Sequence, residues 1–422
     1  SNKWALSHTG RGGWAVSDSY VQQEEFDNRS RQMKIKNLDL QTSWTLPLGS
    51  HMLTLGGTYL TQRLTDQTGN QLAGGPSKVE RYQWALFAED EWRLREDLAL
   101  TLGVRYDDHE TFGGHVSPRA YLVWNTTDTW TLKGGVSRGY KTPTLNQLHS
   151  GINGVTGQGS TITIGSPDLD PEITTNTEIG AYYDNLSDFN ANVTLFHNKF
   201  KDKIASGDPV ADPLCSGNAA SGGLPAGTCS QQINIDEAVT QGLELAASWN
   251  FAPAWTLSGN YTYTDSEQKS GDNKGEPLTN TPEHLANAKL AWQTTDRLNL
   301  WLKSEYRGER ARFTSKYENL ANANGSYSTN QSIYDTLGKN TKAYTLFHLG
   351  GSFKASENVT LNAAIYNLLD KDFVKGKAYT TYANSGAANG TAYGTDYIQS
   401  TQSTTGVMEE GRRLWLSAVV EF

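Results

Sequence analysis

Apolar and polar side chains alternate one by one along most of the chain. In residues 98–107, LALTLGVRYD, the even positions are apolar or aromatic, and the odd positions include Arg105 and Asp107. Residues 359–366, VTLNAAIY, and the final stretch 411–422, GRRLWLSAVVEF, repeat the pattern. A period of two puts alternate side chains on opposite faces of an extended strand. Counted along the chain, this alternation predicts an all-β fold of about 17 strands.

The connections between these strands fall into two classes. Short turns are predicted at residues 47–50, 95–97, 125–128, 185–188, 251–254, 294–297 and 355–358. Long or variable segments are predicted at residues 64–78, 139–173, 206–236, 266–283, 308–342 and 369–410. Because every second connection is short, all short turns are expected at one end of an antiparallel sheet. Short turns at one end and long loops at the other are the connectivity typical of a transmembrane β-barrel.

Tryptophan placement supports the same interpretation. Eight of the 12 tryptophans lie within a few residues of a short turn: Trp44, Trp92, Trp124, Trp130, Trp249, Trp255, Trp292 and Trp301. Indole rings prefer the boundary between lipid and water, so a belt at one end of the strands is expected for a membrane barrel. In the last strand one face is wholly apolar and is predicted to meet lipid: Leu414, Leu416, Ala418, Val420 and Phe422.

Composition and charge exclude several other classes of protein. The formal charge of the 422 residues is −9, which argues against a general nucleic-acid binder, since such proteins present basic faces. Mean hydropathy is −0.58, and no apolar run is long enough to predict a spanning helix. Charged residues such as Glu89, Glu91 and Arg93 share one strand face, which predicts a wet or plugged interior. No HExxH or Walker motif occurs, and the one GxSxG match, GVSRG at residues 135–139, runs directly into RGYKTP and has no further catalytic motif beside it, so we predict neither an enzyme nor a cofactor.

The only two cysteines, Cys215 and Cys229, bracket the Gly-rich stretch SGNAASGGLPAG. In a cytosolic protein two free thiols would be the usual interpretation. In an oxidising compartment, a pair that tethers a Gly-rich loop predicts a disulfide. The barrel interpretation places this loop outside the cytosol, so we predict a bond between Cys215 and Cys229.

Several motifs resemble those of a known family. RGYKTP at residues 138–143, GQG at 157–159 and SPDLDPE at 166–172 resemble the loop and re-entry signature of TonB-dependent outer-membrane receptors, most closely the ferric enterobactin and other catecholate-siderophore receptors. Further matches are LTLGGTYLTQRL, ALFAEDEWRL, LGVRYDDH, TEIGAYY, VTLFHNKFKDKIASG, VTQGLELAASW, YNLLDKDF and the terminal EGRRLWLSAVVEF. The resemblance therefore covers essentially the whole chain.

The resemblance implies an antiparallel transmembrane barrel of about 22 strands in the outer membrane of a Gram-negative bacterium. Residues 1–422 would form its C-terminal portion, without the N-terminal plug and the first strands. The implied function is energy-coupled uptake of ferric siderophores, with the siderophore as cargo. The implied partners are outer-membrane lipid and lipopolysaccharide, the TonB complex through the plug, and bacteriocins or phage at the loops.

Three alternatives remain open at this stage. His149 lies between RGYKTP and SPDLDPE, where haem receptors of this class place a ligand histidine by resemblance, so haem or another TonB-dependent ligand is one alternative. A passive porin would share the strands and the aromatic belt. A soluble lectin-like β-protein is the third alternative, although one-ended tryptophans count against it.

Candidate ligand residues follow from the chemistry of a ferric tris-catecholate, a large trianion with aromatic faces. Guanidinium groups are weakly hydrated and stack on rings, so arginines and tyrosines suit such a ligand. The loop 308–342 is basic, with five basic and three acidic residues. We predict a ligand site from Arg81, Arg105, Arg307, Arg310, Arg312, Tyr317, Tyr334 and Tyr397. Further aromatic surface is expected from Tyr379, Tyr382 and Tyr393.

Overall fold

The computed structural model describes most of the chain. The described residues are 1–29, 33–66, 78–148, 151–156, 161–206, 210–215, 228–279, 281–322, 324–373, 375–383, 385–397 and 410–421. His149, the GQG motif at residues 157–159 and Phe422 lie outside them. Among the described residues, no helix is both long and apolar enough to cross a membrane.

Strands make up nearly all of the regular structure. They are β1 Asn2–Arg11, β2 Val16–Asn28, β3 Met33–Leu48, β4 His51–Asp66, β5 Lys78–Arg95, β6 Leu98–His109, β7 Gly113–Asn125, β8 Trp130–Lys141, β9 Ile152–Thr156, β10 Thr161–Ile164, β11 Glu172–Asp184, β12 Phe189–Ser206, β13 Val210–Ala211, β14 Thr228–Ala252, β15 Trp255–Gln268, β16 His284–Thr295, β17 Leu298–Arg307, β18 Arg310–Ala311, β19 Asn340–Thr341, β20 Tyr344–Lys354, β21 Val359–Tyr366, β22 Gly376–Tyr382, β23 Ala388–Thr395 and β24 Arg413–Val420. The helices are α1 Leu145–Leu148 and α2 Thr329–Leu337, with 3-10 turns at Pro213–Cys215 and Tyr317–Leu320.

The number of long strands agrees with the alternation. The largest sheet has 20 strands in the described residues. Three of them, β9, β10 and β13, have only five, four and two residues. The remaining 17 strands are all at least eight residues long, which confirms the predicted count. The short strands β18, β19, β22 and β23 form two separate two-stranded sheets.

Two compact units divide the chain. Unit 1 comprises Ser1–Asn125, Leu132–Glu178 and Asn198–Ala238. Within it, β1 to β7 form an uninterrupted antiparallel meander in which each strand pairs with the next along the chain. Long registers such as Leu48↔His51 through Met33↔Asp66 leave only two residues for the turn. Neighbours in sequence are therefore neighbours in the sheet, as expected of an up-and-down barrel.

Unit 2 comprises Thr126–Thr131, Ile179–His197 and Val239–Phe422. In it, β15, β16, β17, β20, β21 and β24 pair antiparallel in that order. The turns at residues 296–297 and 355–358 are short, and the connections at 269–283, 308–343 and 367–412 are long. Antiparallel pairing puts the two short turns at one end of this meander and the three long connections at the other. We refer to the latter as the loop end of unit 2.

Exposure of the strands follows the period of two. On β6, Leu102, Val104 and Tyr106 are exposed while Asp107 and His109 are buried. On β24, Leu414 and Leu416 are 73% and 79% exposed, and their row continues on β21 through Ile365 and Ala363. Exposed apolar rows and buried charged residues invert the arrangement of a water-soluble sheet. This inversion is the arrangement predicted for strands whose outer face meets lipid.

Buried apolar clusters are small and lie near the strand ends. Met33, Leu64 and Leu145 form one cluster, and Ile164 packs with Cys215 and Cys229 in a second. At the loop end of unit 2, two further clusters are built from Ile333, Leu337 and Tyr379 and from Tyr344, Leu346 and Phe373. The described loops are therefore folded around cores of their own.

Tryptophans beside short turns stack across neighbouring strands. In unit 2, Trp255 lies opposite Trp292 in the ladder, with ring centroids 4.9 Å apart and planes only 4° from parallel. Phe251 extends this row, 6.3 Å from Trp255. Aromatic cross-strand pairs stabilise a sheet by about 0.2–1 kcal/mol each. Their position beside the turn is the one expected of an interfacial belt.

One strand glycine makes room for an aromatic ring. Gly350 on β20 lies opposite Trp301 on β17. A Cβ atom at Gly350 would lie 2.3 Å from Cζ2 of Trp301, which is far inside van der Waals contact. The missing side chain therefore lets the indole lie flat across the neighbouring strand.

The predicted disulfide is present. Cys215 and Cys229 are bonded, with Cα atoms 5.8 Å apart, and both are fully buried beside Ile164. Cys229 also faces Val210 in the β13–β14 ladder. The bond thus closes a loop whose base is already held by a short strand pair.

We expect Leu416→Arg to destabilise the native protein in a bilayer. A guanidinium on a lipid-facing strand near the midplane costs about 2–4 kcal/mol. Ser417→Arg is the matched control, because Ser417 lies on the opposite face, where Asn362 donates a hydrogen bond to it. Unfolding free energies measured by urea titration in lipid vesicles should separate the two variants, and equal losses would contradict the assigned faces.

We expect loss of the disulfide to loosen the base of its loop. In the chain-entropy model a closed loop of about 15 residues contributes roughly 3 kcal/mol. Amide hydrogen exchange at Val210 and Cys229 should therefore accelerate in a Cys215→Ser, Cys229→Ser variant. Reductant added to wild type should reproduce the change and should leave the variant unaffected. Two thiols that react with alkylating reagent in the unreduced native protein would contradict the bond.

Candidate functional site

The predicted ligand residues fall into two groups. Arg81 and Arg105 belong to unit 1. All other members of the predicted set lie at the loop end of unit 2: Arg307, Arg310, Arg312, Tyr317, Tyr334 and Tyr397. The structure therefore brings six of the eight residues into one region of unit 2, and each group is considered separately.

The guanidinium of Arg105 contacts side chains on neighbouring strands of unit 1. Its Nε lies 3.0 Å from both carboxylate oxygens of Asp107, and its Nη2 donates to Oγ1 of Thr58 at 3.1 Å. Asp107 is almost fully buried, so the neighbouring guanidinium supplies the opposite charge that a buried carboxylate needs. Arg81 is half-buried, and its Nη1 donates a long hydrogen bond of 3.4 Å to the carbonyl of Glu80.

Two of the sequence motifs meet in unit 1. Lys141 of RGYKTP lies 2.7 Å from Oε2 of Glu172, the last residue of SPDLDPE. The other oxygen of Glu172 accepts the backbone N–H of Ile204 at 2.9 Å. Tyr140 stacks on His115 with ring centroids 4.3 Å apart. These motifs therefore close the base of a long connection, and their described residues form contacts within the protein.

The chain after RGYKTP folds back onto the strands. Pro143 is fully buried, and Leu145 in α1 packs against Met33 and Leu64. Gln147 then donates to Oε1 of Gln232 at 2.8 Å. Within the described ranges no group of three His, Cys, Asp or Glu side chains is arranged to hold a metal ion. The haem alternative rested on His149, which lies outside those ranges.

Arg310 and Arg312 join two loops of unit 2. Nη2 of Arg310 donates to the carbonyl of Tyr397 at 2.8 Å, and Nη2 of Arg312 donates to the carbonyl of Thr395 at 2.8 Å. The β18–β19 pairing, Arg310↔Thr341, positions both arginines. Arg312 is only 5% exposed. Burial lowers its pKa to about 10, although Asp396 acts in the opposite direction.

A carboxylate that sequence reasoning missed lies beside these arginines. Asp396 accepts contacts from Nζ of Lys377 at 2.7 Å and Nζ of Lys342 at 3.0 Å. Burial alone would raise the pKa of Asp396, but the hydrogen bonds from the two lysines outweigh it and hold the pKa below its ordinary value. We refer to Arg310, Arg312, Lys342 and Lys377 as the loop cation cluster.

Tyr397, whose carbonyl accepts the hydrogen bond from Arg310, belongs to a group of aromatic side chains next to this cluster. Its ring is 5.4 Å from Phe373 and 6.0 Å from Tyr344, both in edge-on geometry. Nζ of Lys371 lies 4.5 Å from the Tyr397 ring centroid. Arg307, at the end of β17, lies over Tyr344 at 6.0 Å. Cation–π contacts therefore link basic and aromatic side chains throughout this region.

A second aromatic group surrounds Asp335 on α2. The hydroxyls of Tyr317 and Tyr327 donate to Oδ2 of Asp335 at 3.1 and 2.5 Å. Tyr334 packs edge-on against Tyr317, with centroids 5.1 Å apart. Burial and the nearby carboxylate raise the pKa of Tyr327 above its ordinary value. Tyr317 and Tyr327 are each more than one-third exposed, so this group presents aromatic surface to the outside.

Sequence reasoning missed Asp396, Lys377 and Phe373 because each gains its role from a distant segment. A basic loop was identified from its charge, but nothing in that loop shows which carboxylate will approach it. The available signal was weak: Asp396 follows the alternating stretch TAYGT in a segment rich in Gly and Tyr. That composition also suits the β22–β23 hairpin, which was not predicted.

Comparison with known proteins identifies the family of the chain. The family model described as TonB dependent receptor-like, beta-barrel matches residues 2–368. The iron-regulated outer membrane virulence protein of Vibrio cholerae serotype O1 is 36% identical over 422 residues, covering 100% of this chain and 57% of that protein. The ferric enterobactin receptor of Pseudomonas aeruginosa is 31% identical over 339 residues, covering 76% of this chain and 43% of that protein. The matched part of the chain thus spans about half the length of these relatives.

Solved structures give the same result. A variant of the ferric enterobactin receptor PfeA of Pseudomonas aeruginosa superposes with a TM-score of 0.73 at 25% identity, covering 100% of this chain and 61% of that chain. A second PfeA variant, in complex with enterobactin, gives a TM-score of 0.74 at 25% identity, with coverage of 100% and 62%. The strand meanders, the exposed apolar rows and the family match lead to one assignment: the chain belongs to the TonB-dependent receptor-like β-barrel family of the Gram-negative outer membrane.

Proposed function

We propose that this chain is the barrel portion of an outer-membrane receptor that captures ferric siderophores of the catecholate type and takes them up with energy from the TonB complex. One observation carries the proposal: the loop cation cluster and two aromatic groups converge at the loop end of unit 2. The arrangement supports binding of a large anion with aromatic faces. The family is a receptor and transporter family, so no chemical conversion of the ligand is required.

The charges and rings suit different parts of such a ligand. A ferric tris-catecholate carries three negative charges, and arginine and lysine side chains attract it over about one Debye length, roughly 8–10 Å in physiological salt. The catechol rings would then pack against tyrosine faces such as those of Tyr317 and Tyr327, which are exposed. Aromatic contact favours catecholates over hydroxamates, whose metal-binding groups have no rings.

The names of the relatives support the same ligand class. The matched proteins include ferric enterobactin receptors from Pseudomonas aeruginosa and Escherichia coli, and one superposed structure contains enterobactin. Lower-identity matches include a vitamin B12 transporter of Photobacterium profundum at 24% identity. We propose the catecholate because the loop end of unit 2 is basic and aromatic.

Removing Arg310 and Arg312 together should weaken binding of a ferric catecholate. The Arg310→Ala, Arg312→Ala variant loses two positive charges and two hydrogen bonds to the carbonyls of Tyr397 and Thr395. We expect the affinity to fall about tenfold or more, equivalent to about 1.4 kcal/mol, because the variant removes two of the four cations that would attract the trianion. Equilibrium binding to the purified native receptor at low and high salt measures the effect.

The matched control is Lys274→Ala with Lys316→Ala. It removes the same charge from loops of unit 2, and neither lysine belongs to the loop cation cluster. We expect a smaller loss that disappears at high salt, because only long-range attraction is reduced. Wild-type affinity in the arginine variant would contradict the assignment of this loop.

Transport selectivity tests the ligand class directly. Cells that depend on this receptor for iron should grow on a ferric catecholate siderophore and should not grow on haem or on a neutral ferric hydroxamate. The two rejected complexes lack either the negative charge or the catechol rings. Growth on haem without growth on a catecholate would favour the haem alternative. Passive entry of small sugars at a porin-like rate would favour a channel.

A further inference from the structure

Asp396 is held by two lysines from separate segments of the chain. Lys342 lies just before β20, and Lys377 lies near the start of β22. Their ammonium groups reach different oxygens of the same carboxylate, at 3.0 and 2.7 Å. The lysine side chains are 61% and 48% exposed, whereas the Asp396 side chain is only 18% exposed. A largely covered carboxylate therefore lies between two cations that both face water.

Among the described residues, four cations approach Asp396 and its two neighbours in the chain. Arg310 and Arg312 approach the flanking residues of Asp396 through the carbonyls of Tyr397 and Thr395, and the backbone N–H of Lys342 donates to the carbonyl of Asp396 at 2.7 Å. Four cations thus surround a three-residue segment with a single carboxylate. Such a group of cations attracts a ligand that carries several negative charges.

We propose that Lys342 and Lys377 form an anion-binding site for the ferric siderophore, and that Asp396 occupies this site when the ligand is absent. The inference rests on the proposed function and names two contact residues and an internal competitor within it. The two ammonium groups are already spaced to hold a pair of oxygen anions, and catecholate oxygens are donors of the same kind as carboxylate oxygens. A trianion would displace a single carboxylate because it interacts more strongly with the same cations.

Displacement of Asp396 would also move its neighbours. Thr395 and Tyr397 flank it directly, and their carbonyls accept the bonds from Arg312 and Arg310. When Asp396 leaves the lysines, these guanidinium groups become available to the ligand. Occupation of the site would therefore release the 395–397 segment from the loop 308–342.

A purely structural role for Asp396 predicts the opposite result. If the carboxylate only fastens the two loops, its removal disorders the cluster and weakens ligand binding. If it competes with the ligand, its removal strengthens binding. The sign of one affinity change therefore separates the two roles.

The test uses Asp396→Asn in the native receptor, because asparagine keeps the size of the side chain and removes the charge. We expect the dissociation constant of ferric enterobactin, used as the probe, to fall about tenfold at low salt, equivalent to about 1.4 kcal/mol. The gain should shrink at high salt. The matched control is Asp272→Asn, which removes one exposed carboxylate from the connection 269–283 of unit 2 and should give no such gain.

Lys377→Gln and Lys342→Gln provide a second test that does not depend on folding of the Asp396 variant. Each should raise the dissociation constant about tenfold, whereas lysines that serve only Asp396 would leave it unchanged. Unchanged or weaker binding by Asp396→Asn, with normal binding by wild type, overturns the inference and leaves the proposed function intact. Wild-type receptor that binds no ferric catecholate overturns both.

Discussion

The structure depends on one constraint, the pairing of every backbone N–H and C=O group within a membrane. Lipid offers no hydrogen-bond partners, so extended chains can cross it only as strands that pair side by side. The continuous ladders from β1 to β7 and through β15, β16, β17, β20, β21 and β24 supply this pairing between neighbouring strands. The alternating side-chain faces follow from the same pleated geometry. Exposed leucines such as Leu102 and Leu416 are therefore in their stable environment.

The loops meet a different requirement, because they lie in water. They cannot rely on a common apolar interior, since the inward-facing rows of the strands carry residues such as Asp107 and His109. Where the structure describes them, several long connections instead bury a few side chains of their own. In unit 2, Ser328 and Gln331 form a capping box at the start of α2, while Ile333 and Leu337 pack on Tyr379 of the β22–β23 hairpin. Local cores of this size fix the fold of a loop with fewer buried apolar contacts than a common core would provide.

The strands could be predicted from the sequence because their signal is local. A residue such as Leu416 needs only its neighbours at positions 414 and 418 to be assigned to a face. The loop structure required long-range information. Arg312 was predicted as a ligand contact from its charge, and it is 5% exposed because the carbonyl of Thr395, 83 positions later, accepts its hydrogen bond. Likewise, α2 and the β22–β23 hairpin stabilise each other through Ile333, Leu337 and Tyr379. The sequence of neither segment indicates this contact by itself. Arg81 and Arg105 are predicted as ligand residues from their odd positions along a strand. Such a position gives the face on which a side chain lies but not its partner.

The ion pair between Lys141 and Glu172 has a consequence for how such proteins diversify. It joins the two ends of a connection of about 30 residues, whose strands β8 and β11 also pair. Once the ends of a loop are fixed, each doubling of its length costs only about 0.6 kcal/mol in closure entropy. Insertions and deletions between the clamped ends are therefore tolerated, while the barrel beneath stays unchanged. The pairing of β8 with β11 and the clamp together separate the length of this segment from the geometry of the strands that carry it.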